Sequence, residues 1–170
     1  VTTVLAAERF IDATWFTEYA RERGTFVHLA THLDDTGELD ESSVDATVEP
    51  YLVAYRRFKK ESGFIPSGSE VRLYSPVHRF AGTLDKVGTF KDITCAIIDL
   101  ETGAHQPTKA IQTAGYEILK GSPYKRFALQ LKNDGKYTLH AFTDRQDKQI
   151  FLAALACYQW QNNNLKRRAA

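Results

Sequence analysis

Two β-forming runs that each carry an aspartate constrain this chain more than any other feature. "RFAGTLDKVG" (79–88) and "AIIDLETG" (96–103) place Asp85 and Asp99 fourteen residues apart, directly after Thr83-Leu84 and Ile97-Ile98. A carboxylate emerging from a buried strand is costly unless something compensates its charge. Taken singly, Asp85 also reads as an exposed turn acid, and Asp99 as the start of the "DLETG" loop. As a pair on neighbouring strands they suit a divalent cation. Magnesium or manganese takes hard oxygen ligands and usually borrows only two or three groups from the protein. Gly82 and Gly88 allow a bulge or a close backbone approach beside the first acid.

The period of the apolar residues changes along the chain. Phe16, Tyr19, Ala20, Phe26, Val27, Ala30 and Leu33 recur at helical spacing, with a break expected near Gly24 and Thr25 capping a second helix that carries His28. Val44, Val48, Tyr51, Leu52, Tyr55 and Phe58 predict another amphipathic helix, with Pro50 in its first turn or at a kink. "EVRLYS", "HRFAGTLDKVGTF" and "ITCAIIDL" then read as three successive strands. Pro107 opens a helix with Ala110, Ile111, Ala114, Ile118 and Leu119 on one face, ending at Gly121. "RFALQLK" and "KYTLHAF" around "NDG" predict a β-hairpin, and residues 144–162 a last helix with Ile150, Phe151, Ala154, Leu155 and Tyr158 in a stripe. Neither a repeat nor a low-complexity linker interrupts this order, so a single α/β (α+β) domain over residues 1–170 is expected.

Lys and Arg number 22 against 21 Asp and Glu, so bulk charge does not announce a nucleic-acid binder and any basic surface must be local. "YRRFKK" (55–60), "YKR" (124–126) and "LKRR" (165–168) are the candidates, and each also reads as a solvated helix face or a chain end. Cys95 and Cys157 look like small core residues rather than a disulfide or a metal clip. With no 18-residue apolar stretch and no basic-then-apolar leader, an intracellular, cytoplasmic chain without a membrane segment is expected.

The succession "RGTFVH", "SEVRLYS", "FAGTLDKVG", "IIDLETG" and "QTAGY" closely resembles the PD-(D/E)XK nuclease superfamily, in its RecB-like and lambda-exonuclease-like branch common in phages and recombination systems. The resemblance spans about residues 20 to 160 and keeps the family's element order. It implies a restriction-endonuclease-like core, a mixed central β-sheet flanked by helices in the order helices-βββ-α-ββ-α. It also implies a DNA nuclease, expected to be an exonuclease of phage, recombination or repair type, that uses Mg2+ or Mn2+ to activate water and leaves a 5′ phosphate. Carried over position by position, Asp85, Asp99, His28 and the main-chain carbonyl of Leu100 would bind the metal. Gln112 and Tyr116 match the Gln-x-x-x-Tyr motif, Gln112 near the active site or the DNA backbone and Tyr116 packed beside it. Glu70 stands where many relatives carry a further acid, and reads equally as a surface strand glutamate. The partner implied is DNA, and the near-neutral charge favours a homo-oligomer or a recombination partner protein to supply further backbone contacts. Family branches with an iron-sulfur cluster need four cysteines, and this chain has two.

One position departs from the pattern. Glu101 stands where the family's Asp-x-Lys motif has lysine, and losing a cation where negative charge accumulates commonly costs ~10² to 10³ in rate. Three readings stay open: Glu101 serves as a metal or water ligand, Lys86 or Lys109 supplies the cation, or the position silences cleavage and leaves a module that binds DNA or a partner protein. His32, four residues after His28, fits zinc-peptidase spacing but lacks the glutamate that must follow the first histidine; Leu29 stands there.

Overall fold

The computed structural model describes residues 1–12 and 17–165. Phe16 of the helical pattern and the basic residues Lys166, Arg167 and Arg168 lie outside them. The elements in chain order are α1 (Thr2–Ala7), α2 (Glu18–Thr36), a 3₁₀ turn (Glu41–Ser43), α3 (Glu49–Ser62), β1 (Ile65–Ser75), β2 (Phe80–Phe90), β3 (Ile93–Glu101), α4 (Lys109–Lys120), β4 (Lys125–Leu131), β5 (Tyr137–Phe142) and α5 (Gln146–Asn164). The five strands form one sheet in sequence order. All neighbours are antiparallel except β3 and β4, which run parallel. A parallel neighbour needs a crossover. Here α4 is that crossover, and it brings the Gln-x-x-x-Tyr segment back across the end of β3.

A core fills each face of the sheet. Tyr51, Tyr55 and Phe58 of α3 and Val27 of α2 cover Ile98, Leu129 and Leu131 on one side. Leu5 of α1, Tyr116 of α4 and Phe151 and Leu155 of α5 cover Leu84, Val87 and Ile97 on the other. β3 therefore contributes Ile97 to one core and Ala96, Ile98 and Leu100 to the other, as the two-residue alternation of a strand dictates. Among the described residues no helix is long and apolar enough to cross a membrane.

Several local expectations change. α2 is unbroken through Gly24 and Thr25, since Thr25 bonds back to the Arg21 carbonyl at 3.1 Å instead of capping a new helix. Thr17 is the cap, and Gly37 ends α2 in the left-handed region. Pro50 lies in the first turn of α3. α1, which the sequence reading did not anticipate, packs Val4 and Leu5 into the second core. Cys157 is exposed and Cys95 only half-buried, so neither is the enclosed core residue expected. On α4 the fully enclosed stretch is Gln112 to Glu117, whereas Ile111, Ile118 and Leu119 are half-buried, because α5 covers the helix face that the sheet does not.

Two glycines give the packing a direct test. A methyl group on Gly88 would lie 2.3 Å from the Ile65 carbonyl oxygen, against backbone that cannot swing away, whereas one on Gly103 would meet nothing within 4 Å. Gly88→Ala is expected to lower the urea-unfolding free energy by about 1–3 kcal/mol and Gly103→Ala to change it by less than about 0.5 kcal/mol.

Candidate active site

The site forms where β2 and β3 stop pairing. Their rungs run Gly88↔Ala96, Val87↔Ile97 and Lys86↔Ile98, and the next rung would set Asp85 opposite Asp99. Instead the Asp85 carboxylate accepts the Leu100 backbone N–H at 2.7 Å. A side chain thus takes a bond that a strand would normally give to backbone, and it pins the acid at the fork. Leu100 enters the site through this N–H. β1 is irregular at the same level. Glu70 falls between the pairs Ser69↔Lys86 and Val71↔Leu84 and holds a φ of +54°, a left-handed conformation costly for any residue but glycine.

His28, half-buried on α2, reaches this fork. Its Nδ1 lies 3.4 Å from Glu70 Oε1 and 3.5 Å from Asp85 Oδ1. Ligand atoms of His28, Glu70 and Asp85 all fall within 4.8 Å of one another. Asp99, almost fully enclosed, is held from α4, with Lys109 Nζ at 2.5 Å from Oδ2 and Gln112 Nε2 at 2.7 Å from Oδ1. Gln112 Nε2 also donates to the Tyr116 hydroxyl at 2.9 Å, so the i, i+4 pair acts as one unit behind Asp99.

The electrostatics follow from crowding acids in a poorly solvated place. The Asp85 charge, followed by the Glu70 hydrogen bond and the Asp99 charge, outweighs burial and pushes the His28 pKa up to about 9. Burial pushes Asp85 up to about 6, with the Asp99 charge adding to it and His28 opposing it. Burial also works against the Lys109 ammonium, but the Asp99 charge and hydrogen bond prevail and raise its pKa. The fork therefore needs positive charge, which the His28 proton and Lys109 provide. The carboxylates of Glu70 and Asp85, with Asp99 beside them, are hard oxygen donors, and with the borderline imidazole nitrogen of His28 they fit a divalent cation, whose charge would replace that proton.

The remaining predicted residues lie elsewhere. Glu101 shares the α4 side of β3 with Asp99, yet its carboxylate accepts from the Gln106 N–H at 3.2 Å and pairs with His105 Nδ1 at 2.7 Å. Lys86 turns to the opposite side of β2, fully buried, and bonds Asp35 and Ser69. His32 is not part of the donor cluster, and its Nδ1 is buried without a hydrogen-bond partner. The sequence reading missed His105, which stacks on His140 with centroids 3.8 Å apart and ring planes 6° apart. Its only sequence signal was the four-residue spacing from Glu101.

A scan against models of known protein families finds no match, and a search of curated proteins finds none. Among solved structures, the chain is similar to a "Putative exonuclease" from Eubacterium rectale, with a TM-score of 0.61 and 11% identity over 91% of this chain and 70% of that one. An alkaline exonuclease from Laribacter hongkongensis, LHK-Exo, gives a TM-score of 0.36 and 16% identity over 91% of this chain and 90% of its own. The structure of LHK-Exo in complex with dAMP gives 0.37 and 20% over 90% and 87%. The first likeness shows a shared fold, which in this chain is a five-stranded mixed sheet flanked by helices; the other two scores are too low to add to it.

The Asp99–Gln112–Tyr116 unit separates two substitutions. Gln112→Leu strips Asp99 of a donor and leaves the buried Tyr116 hydroxyl without this partner, so it is expected to cost about 1–3 kcal/mol in urea unfolding. Tyr116→Phe leaves the Gln112–Asp99 bond in place and is expected to cost no more than about 1.5 kcal/mol.

Proposed function

We propose that this chain is a metal-dependent DNA nuclease, of exonuclease type, that hydrolyses phosphodiester bonds with Mg2+ or Mn2+. The observation that carries the reading is the convergence of His28, Glu70 and Asp85 beside Asp99 at the β2–β3 fork. The fold shared with the Eubacterium rectale protein supports it, as does the ordered set of motifs that resembles the PD-(D/E)XK superfamily. DNA is the partner in this reading, in phage, recombination or repair chemistry. A homo-oligomer or a partner protein would add the backbone contacts that a net charge of +1 does not supply.

When bound, the divalent ion would supply a water of lowered pKa and polarise the phosphoryl oxygen. The chain's own groups have separable tasks. His28, Asp85 and Asp99 would hold the ion, with Glu70 as a further ligand or a partner for its waters and the Leu100 carbonyl as the main-chain contribution. Lys109 would take the part of the family's motif lysine: its ammonium comes from the next helix and already touches Asp99. Gln112 and Tyr116 would keep the Asp99 carboxylate turned toward the ion. Glu101 would modulate the site through the loop that it ties to His105 and Gln106.

Linear and circular duplex DNA incubated with the protein and Mg2+ or Mn2+ test this reading. Cutting of linear DNA is expected, abolished by a chelator and restored by excess Mn2+. Asp85→Ala and Asp99→Ala are expected to lower the rate by about 10³ or more, and Lys109→Met by roughly 10² to 10³. Retained cutting in Asp99→Ala would show the site assignment to be wrong. DNA retention without cutting by the wild type, with cutting gained in Glu101→Lys, would establish a silent DNA-binding module instead.

A further inference from the structure

Beneath the three donors lies a second, buried trio drawn from the same three elements. On α2, Asp35 follows His28 by seven residues, so two helical turns return it to the same face. On β1, Ser69 directly precedes Glu70, and on β2, Lys86 directly follows Asp85. Lys86 joins them: its Nζ, 0% exposed, donates to Asp35 Oδ2 at 2.7 Å and to Ser69 Oγ at 2.7 Å. The ammonium also lies 4.9 Å from the centroid of the Tyr55 ring. Asp35 is closed in turn by the Tyr55 hydroxyl, 2.8 Å from Oδ2, and by Lys59 Nζ, 2.9 Å from Oδ1.

An ion pair this enclosed is a poor way to gain stability, because desolvation cancels much of its attraction and apolar residues of similar volume often do as well. Geometry is what it supplies. A carboxylate on α2, a hydroxyl on β1 and an ammonium on β2 meet at fixed hydrogen-bond lengths, so the three elements cannot slide past one another without breaking a buried charged contact. Glu70 also needs its strained backbone conformation to be over-determined by its surroundings. The Lys86–Ser69 bond fixes the residue immediately before it.

We infer that Lys86 is a positioning residue, whose bonds to Asp35 and Ser69 set α2 and β1 against β2 so that His28, Glu70 and Asp85 meet around one divalent cation. The inference rests on the metal reading of the site given above. Lys86 touches none of the three donors in this arrangement; it holds the elements that present them.

Titration of the purified protein with Mn2+ alone, followed by the electron paramagnetic resonance signal of the free ion, tests it without any turnover. Lys86→Met is expected to weaken Mn2+ binding by roughly 10- to 100-fold, the usual effect of losing a group that supports metal ligands. Ser69→Ala removes only one arm of the clamp and is expected to weaken binding by roughly 3-fold or more. It also carries the test if Lys86→Met does not fold. Leu155→Ala, in the opposite core, is the control: it is expected to lower the unfolding midpoint while leaving Mn2+ affinity within about twofold. Binding within about twofold of the wild type in Ser69→Ala and in any folded Lys86→Met overturns the inference. A wild-type protein that binds no Mn2+ overturns the metal reading and the inference with it.

Discussion

The bond from the Leu100 N–H to the Asp85 carboxylate is the point on which the candidate site turns. A strand pair normally ends by fraying into solvent. Here it ends inside the molecule, between two cores, where an unpaired backbone donor would be expensive. The Asp85 side chain satisfies that donor and in doing so is fixed at the fork. β3 meanwhile continues, paired with β4 from Ala96 through Glu101, so the sheet remains whole while one of its seams opens. The opening is narrow enough to bring Asp85, Asp99, Glu70 and His28 together, and rigid because both separating strands stay paired on their outer sides.

Charge balance accounts for much of the rest. The carboxylates at the fork are answered from two directions, by His28 on α2 and by Lys109 on α4. A third cation, Lys86, lies on the α2 side of the sheet and is bonded to Asp35 rather than to the fork carboxylates. Glu101 is left out of the cluster because Gln106 and His105 satisfy it. The negative charge of Glu101 is thereby taken up in a loop contact, and a cation stands beside Asp99.

Much of this was legible in the sequence, and the gaps have physical causes. Strand alternation, the Asn133-Asp134-Gly135 turn and the Gly121 helix stop are local signals, and the strands, the hairpin and the end of α4 follow them. The two aspartates could be placed on neighbouring strands because apolar residues precede each one, but the expectation that each stands at a strand end fails for Asp85, which lies in the middle of β2, where pairing with β3 stops while pairing with β1 goes on. Lys86 could not be placed by adjacency. It neighbours Asp85 in sequence, but successive strand residues face opposite sides, and its partner Asp35 lies fifty-one residues away. Thr25 looked like a cap because its hydroxyl can serve either a helix start or a helix interior, and only the packed helix decides. The enclosure of Gln112 and Tyr116 depends on α5 arriving from the far end of the chain, which no helical pattern within α4 reveals. His105 meets Glu101 only because the loop between β3 and α4 turns back, a matter of tertiary fit.

The unequal burial of the two helices that flank the fork bears on how the site moves. α4 is enclosed from Gln112 through Glu117, between the sheet and α5, whereas α2 buries Val27, Ala30 and Thr31 and, near its C-terminal end, the Asp35 carboxylate. Backbone amides on α4 can exchange with solvent only when much of the second core opens with them, and those on α2 through smaller, more frequent openings. The fork thus has one flank held along its length and one held chiefly toward its C-terminal end. Opening would begin at the N-terminal turns of α2, which bury no residue before Val27, while the Asp35 end of that helix, the carboxylate on β3 and the ammonium on α4 keep their places.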